Sequence, residues 1–525
     1  MSVKVHSAQT IGLNAHIIDV ELDISQGLHS FSLVGLPDKS VEESKERIGA
    51  AIKNSGFTSP QKKNQKVIVS LAPSDVRKEG PIFDLSIAIA YLLASKQITF
   101  NAKNKLFIGE VALDGTLRPV KGVLFLALAA KNAGFEEIFL PKENSREASL
   151  INGIKIFGCN NLKEISLHLC PPKILVEDGN ENEKISFAIK EESPINFQSL
   201  KKVRRQSICF SEVKGQETAK RGLEIAAAGG HNILMVGPPG TGKTMLAKAF
   251  AGILPEMSFD ETVEVTGIHS VAGILESDIA LDRPFRSPHH TSSYVSLVGG
   301  GNFPKPGEIT LAHRGVLFLD EFPEFERKAI ESLRQPLEDK VINISRARGT
   351  IRFPANFILI SAANPCPCGN AGTSKECICN MGDLMRYRRK ISGPIIDRVD
   401  ICIDVPRIEH EKLSDNSTNL ETSVVINSRV ERARAIQRKR FSQKDKDNQT
   451  MTNSDMTTKD IKAFAHLSEA LKNTLNQAAT KLDLSGRAYH KVIKLARTIA
   501  DLDGVSNIAE NHIFEALQYR PKQDI

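Results

Sequence analysis

The 525-residue sequence contains no tryptophan and only 5 tyrosines beside its 24 phenylalanines. A protein that reads bases mainly by stacking them on exposed aromatic platforms is therefore disfavoured. Cysteine is sparse as well. Eight in a chain of this length do not make a disulfide framework. No apolar run approaches the ~18–20 residues of a membrane span. The start, MSVKVHSAQTIGLNAHIIDV, lacks a basic segment followed by an apolar one. These absences lead us to expect a protein of the reducing cytoplasm with no membrane partner. There is no strong excess of one charge either: 69 Lys and Arg against 62 Asp and Glu leave +7, so local placement of charge matters more than the total. With 41% hydrophobic and 25% charged residues, wholesale disorder is excluded.

What is present reads as an α/β multidomain chain. Residues 1–172 alternate strand-like runs (Val3–Val5, Ala15–Asp23, Ser30–Val34, Lys66–Leu71) with helix-like ones (Ser40–Ser55, Phe83–Ala94, Gly122–Ala133). Residues 173–208, rich in Glu, Asn and Lys and ending in Lys201-Lys202-Val203-Arg204-Arg205, read as a linker. Residues 209–405 form a second alternating unit. Its short apolar runs Ile233–Val236, Val316–Leu319 and Phe357–Ser361 have the look of strands buried on both faces of a parallel sheet. Residues 406–457 are a polar connection with a basic helix at Ser423–Arg440, and 458–525 are helical.

Gly237-Pro238-Pro239-Gly240-Thr241-Gly242-Lys243-Thr244 fits G-x-x-x-x-G-K-[ST], between a strand-like run and a helix-like one. Glycines let backbone N–H groups turn inward around phosphate oxygens, and the following helix start adds partial positive charge. Lys243 is placed to reach the β- and γ-phosphates of ATP, and the Thr244 hydroxyl to ligate Mg²⁺. Downstream, Val316–Leu319 ends in Asp320-Glu321. Ligands of parallel sheets bind beyond the carboxyl ends of the strands. Asp320 is thereby the expected Mg²⁺ partner and Glu321 the group that polarises the attacking water. Asn364, after the next apolar run, is a candidate γ-phosphate sensor; alone it would be an ordinary turn residue.

Cys366-x-Cys368 and Cys377-x-Cys379 bracket a short Gly-containing loop. Four thiolates there could hold a structural Zn²⁺; the other reading is reduced thiols in a surface loop. Val341–Ile344 and Thr350–Phe353 alternate around Ser345-Arg346-Ala347-Arg348-Gly349, which reads as a hairpin with a basic tip. The adjacent pair His289-His290 does not have metal-ligand spacing on a helix, and no metal is assigned to it.

Several ordered segments, among them Gly35-Leu36-Pro37-Asp38, Arg283-Pro284-Phe285-Arg286-Ser287-Pro288-His289-His290, Lys305-Pro306-Gly307-Glu308-Ile309, Asn364-Pro365-Cys366-Pro367-Cys368-Gly369 and Ser485-Gly486-Arg487, resemble the YifB/ComM group of magnesium-chelatase-like AAA+ ATPases over nearly the whole chain. The resemblance implies an AAA+ αβα core with a C-terminal helical lid, and an ATP- and Mg²⁺-dependent homo-hexamer. It implies that Asn364 is the first sensor, Arg398 the arginine finger reaching a neighbour's nucleotide, and Arg487 the second sensor. It makes the basic hairpin a pore element whose Arg346 and Arg348 hold DNA phosphates, and Thr266–Gly301 a second pore insert. The implied activity is that of a helicase or branch-migration translocase on single-stranded or branched DNA, serving integration of transforming DNA alongside recombinase or other DNA-processing partners. A chelatase-type motor remodelling a protein partner is the other class. Residues 1–172 resemble the Lon proteolytic domain, but Ile82 and Phe83 stand where the nucleophilic Ser should follow Lys78-Glu79-Gly80-Pro81. Leu124 falls where the Lys base belongs, and Lys121 is out of place. A Ser–Lys dyad needs both groups, so peptidase activity is not expected.

Overall fold

The computed structural model describes residues 2–62, 64–171, 188–200, 208–301, 304–346, 349–371, 373, 375–390, 393–408, 421–442 and 451–520. They divide into two compact units: Met1–Lys202 with Phe259–Ala280, and Val203–Ser258 with Leu281–Ile525. The basic run 201–205 lies outside the described residues.

The first unit is built on a mixed seven-stranded sheet, in the spatial order Ser30–Val34, Gln65–Ala72, Asn14–Gln26, Val3–Ile11, Lys105–Phe107, Glu137–Pro141, Lys155–Cys159. The long hairpin Val3–Ile11/Asn14–Gln26 is antiparallel and outruns the sequence expectation. Its second strand buries Ile18, Val20 and Leu22 on one face while Glu21 and Asp23 alternate outward. Helix Asp84–Ala94 is apolar all round, and every residue from Asp84 to Leu92 is buried, as a core helix must be. The one charge in it, Asp84, is met by the Arg47 guanidinium at 3.0 and 3.3 Å. Helix Lys39–Asn54 starts one residue earlier than expected, and Asp38 caps it by accepting from the Val41 N–H at 2.8 Å.

Residues 259–280 interrupt the second unit in sequence yet pack within the first. Helix Phe259–Ala272 lies against helix Val123–Asn132, the Gly122 N–H donates to the Ser270 hydroxyl at 2.9 Å, and a Cβ on Gly267 would stand 2.5 Å from the Phe125 ring. In this unit Leu124 is buried, its N–H donating to Glu147 at 3.1 Å, and Lys78 is buried with its ammonium on the Pro73 carbonyl.

The second unit holds a five-stranded sheet in the order Phe285–Arg286, Val316–Leu319, Ile358–Ala363, Ile233–Val236, Ile401–Asp404, parallel at every pairing. Its inner strands are buried on both faces, which explains their nearly continuous apolar runs, broken by Ser361, whose hydroxyl donates to the Ile233 carbonyl at 3.0 Å. One apolar cluster runs from these strands through helices Glu217–Gly229 and Ser423–Ser442 to the C-terminal helices Gly486–Leu502 and Glu510–Gln518. A buried Asp501 carboxylate ties the last group in, accepting from Arg440 and Arg497, each at 2.9 Å. The basic helix Ser423–Ser442 is thus largely committed inside the chain: Arg429 pairs with Glu224 and Glu421, Arg434 caps the Ala227 carbonyl, and Arg438 meets Glu431. Strands Val341–Arg346 and Gly349–Pro354 form the expected antiparallel hairpin, paired from Val341↔Pro354 out to Arg346↔Gly349. Arg348 lies outside the described residues, and of Arg346 only the backbone is described.

Candidate nucleotide site

Strand Ile233–Val236 sits between Ile358–Ala363 and Ile401–Asp404 and delivers the Gly237–Thr244 loop at its carboxyl end. Glycine is obligatory at 237, since a Cβ there would lie 2.1 Å from the Val405 carbonyl oxygen of the neighbouring segment. Gly240 and Gly242 take φ of +75° and +88°, the left-handed region open to glycine, and so curl the loop. Helix Lys243–Ala251 begins at the end of this curl.

Two of the candidate residues, Asp320 and Asn364, are drawn onto the loop. The buried Lys243 ammonium donates to the Gly237 and Pro238 carbonyls at 2.6 and 2.9 Å and to the Asn364 amide oxygen at 3.3 Å. Burial lowers its pKa below the usual lysine value, against the opposing pull of Asp320 and Glu321. The Thr244 hydroxyl donates to Asp320 at 2.7 Å, and the Thr241 hydroxyl closes the loop on the Pro238 carbonyl at 3.0 Å. Asn364 stands just past the carboxyl end of the strand adjacent to that of the loop, and Asp320 and Glu321 just past that of the next strand over. Two oxygen donors side by side at Thr244 and Asp320 suit a hard cation such as Mg²⁺. A buried ammonium whose hydrogen-bond partners among the described residues are neutral carbonyl oxygens suits an anion in the loop.

Glu321, the group expected to polarise the attacking water, has a side-chain partner of its own. Its backbone is left-handed at φ +50°, and its side chain lies 3.1 Å from His290 Nδ1. That strand-end conformation is uncommon for a residue with a Cβ. His290 in turn lies with its ring centroid 4.1 Å from that of His289. Sequence reasoning missed this role. The available signal was position: the two histidines follow Phe285–Arg286, whose strand neighbours the one ending in Asp320-Glu321. Tyr387 was missed too; buried on helix Met381–Lys390, it donates to the Asn364 carbonyl at 3.1 Å and so fixes the backbone of that residue.

Arg398 and Arg487 are brought together, but away from Lys243. Both guanidinium groups converge on Glu338 Oε1, at 2.6 and 3.3 Å. They border a cleft of about 670 Å³ that Lys491 and Lys494 also line. This cleft opens at the amino ends of the strands, where the Asp400 and Ile401 N–H groups bind the Asn232 carbonyl and the Asn232 amide donates to the Arg398 carbonyl at 3.2 Å. A four-residue strand is ~13 Å long, and it separates this edge of the sheet from the loop edge.

The four clustered cysteines are brought within 4.8 Å of one another. Their loop follows Asn364 directly, and a Cβ on Gly369 would stand 2.7 Å from the Pro239 ring of the phosphate-loop sequence.

Comparison with known proteins covers the chain almost end to end. The family model for magnesium chelatase, subunit ChlI, matches residues 209–413; that for subunit ChlI of Mg-chelatase matches 20–144; that for the ChlI C-terminal region matches 420–520. Competence protein ComM of Haemophilus influenzae is 41% identical over 522 residues, 98% of this chain and 97% of that protein. The uncharacterized protein YifB of Escherichia coli is 40% identical over 519 residues, 98% and 96% of the two chains. DNA replication licensing factor Mcm6 of Drosophila melanogaster is 22% identical over 341 residues, 61% of this chain and 38% of Mcm6.

Proposed function

The chain belongs to the YifB/ComM family of magnesium-chelatase-like AAA+ proteins, and on that footing we propose that it is an ATP-hydrolysing hexameric motor acting on DNA, a helicase or branch-migration translocase used in recombination. The observation that carries the ATPase reading is the convergence of Lys243, Thr244, Asp320 and Asn364 on one loop at the carboxyl edge of a parallel sheet. Lys243 holds and orients the β- and γ-phosphates, and Asn364 keeps its ammonium aimed. Thr244 and Asp320 would hold Mg²⁺, which when bound neutralises charge on the phosphate oxygens. Glu321, once released from His290, takes the proton-accepting place beside the attacking water. Arg398 and Arg487 lie at the far edge of the sheet from their own chain's loop. They therefore serve a neighbour's nucleotide, which makes a ring the working form.

The DNA reading is supported by the hairpin Val341–Pro354, whose tip sequence holds Arg346 and Arg348 and fits sequence-independent phosphate contacts. It is supported also by likeness to two relatives, a competence protein and a DNA replication licensing factor. The chelatase names of the matching models favour a second reading, a motor that remodels a protein partner. Peptidase activity forms no part of either reading, since Leu124 is apolar and packed where a base would stand. ATPase and strand-displacement assays on forked and three-stranded DNA decide between them. A DNA motor hydrolyses faster with DNA; Lys243→Ala removes both activities; Arg346→Ala keeps basal hydrolysis and loses displacement. Hydrolysis indifferent to DNA would favour the protein-remodelling motor, and intact displacement in an Arg346→Ala/Arg348→Ala double variant would remove the hairpin from the account.

A further inference from the structure

We propose that Cys366, Cys368, Cys377 and Cys379 hold one structural Zn²⁺, and that this metal braces the wall of the nucleotide loop rather than a DNA-binding surface. The bracing rests on the reading of Gly237–Thr244 as that loop; the metal site does not.

The sulfur geometry is the first support. Zn–S bonds of ~2.3 Å at tetrahedral angles put neighbouring sulfurs about 3.8 Å apart. Here Cys366 and Cys368 are separated by 3.4 Å, Cys368 and Cys377 by 3.6 Å, and Cys366 and Cys377 by 3.7 Å. A disulfide needs about 2.05 Å, and none of the eight cysteines is in one. The backbone is arranged for thiolates as well. The Ala371 N–H donates to Cys366 Sγ at 3.2 Å and the Cys368 N–H to Cys379 Sγ at 3.4 Å. Such bonds steady negative sulfur and orient metal ligands. Four soft thiolates in this arrangement select Zn²⁺ over hard cations, and four protein ligands leave no open position for catalysis.

The loop itself gives the second support. Among its described residues only Cys366 and Gly369 are buried, and Ile378 is 85% exposed. There is no apolar core to order it, so the cross-link must come from elsewhere.

Position supplies the task. Cys366 is two residues beyond Asn364, whose amide oxygen accepts from Lys243. Gly369, at φ +76°, lies so close to Pro239 that a Cβ would overlap it. The metal thus fixes both ends of a short segment that touches the loop, holding Asn364 and Pro239 in register.

The full-length chain, expressed with zinc, should carry one Zn²⁺ per chain by elemental analysis. With Co²⁺ supplied instead, it should show the intense charge-transfer and d–d bands of tetrahedral four-thiolate cobalt. Cys377→Ser/Cys379→Ser should lose the metal and weaken binding of a non-hydrolysable ATP analogue several-fold. Gly369→Ala should keep the metal and still weaken that binding, which separates bracing from collapse of the loop. Far less than one zinc per chain, or iron in its place, would overturn the metal assignment. Unchanged analogue affinity in both variants, with zinc lost only from the cysteine pair, would overturn the bracing. Failure of the unmodified chain to bind the analogue at all would remove the nucleotide reading and the bracing with it, while the zinc and cobalt results would still decide the site.

Discussion

The Thr244 hydroxyl and the Asp320 carboxylate, 76 residues apart in sequence, meet in a 2.7 Å hydrogen bond. The pair can close only if the strand before each residue is laid parallel and in register in one sheet. Either oxygen removed should cost hydrolysis without unfolding the sheet. Thr244→Ala and Asp320→Asn are each expected to slow ATP turnover by about 10²-fold, the scale for one positioned electrostatic group at a reacting centre. The loss should be steepest at low Mg²⁺. A titration of rate against Mg²⁺ checks this, and a rate unaffected in either variant would separate these oxygens from the metal.

His290 restrains the group expected to activate water. The contact with Glu321 is half-exposed, so it is worth about 1 kcal/mol. His290→Ala should therefore raise basal hydrolysis about fivefold and shrink the proposed stimulation by DNA, because part of the release has already happened. Steady-state rates with and without DNA measure both. A fall in basal rate would mean that His290 assists the chemistry instead.

Arg398 and Arg487 lie across the sheet from the loop of their own chain, held by Glu338. Arg398→Ala should lower turnover by about 10³-fold while nucleotide still binds. Mixed with Lys243→Ala chains, which are also inactive, it should regain measurable hydrolysis, since some interfaces then pair an intact loop with an intact arginine. No recovery on mixing would place the arginine in service of its own chain.

Asp400 predicts an acid limit to stability. Burial alone would raise its pKa, but Lys491 at 2.8 Å and His231 at 3.6 Å outweigh that and hold it well below the usual carboxylate value. The ionised form is therefore favoured by folding. Its contribution is full above the ordinary Asp pKa of ~3.9 and fades as pH falls below it. Melting temperature should drop steeply below about pH 4. Asp400→Asn should flatten that slope and cost about 3 kcal/mol at neutral pH by leaving Lys491 without its buried partner, read from urea unfolding at both pH values.

The strand, glycine-rich loop and helix around Gly237–Thr244, and the hairpin, were legible because their signals are local. Ile233–Val236 and Val316–Leu319 have the residue bounds that the apolar runs predict, since nothing but burial on both faces explains four such residues in a row. Other elements depend on partners far along the chain. Lys105–Phe107 spans three residues and is a strand only because Val3–Ile11 and Glu137–Pro141 flank it. The expected insert Thr266–Gly301 did not mark where the chain turns, because helix Phe259–Ala272 gets its bed from Val123–Asn132, more than a hundred residues away. Glu338 drew no notice as one acid on a short helix, and its importance comes from the two arginines that meet there.

The excursion of residues 259–280 has a practical consequence for anyone cutting the gene. A truncated product starting at Val203 would display the face of Phe259–Ala272 that carries Val265 and Ile268 to water, inviting aggregation. One stopping at Lys202 would be missing that cover. Tethering the excised helix to the end of the shorter piece through a flexible peptide is the design that respects how this polypeptide is threaded.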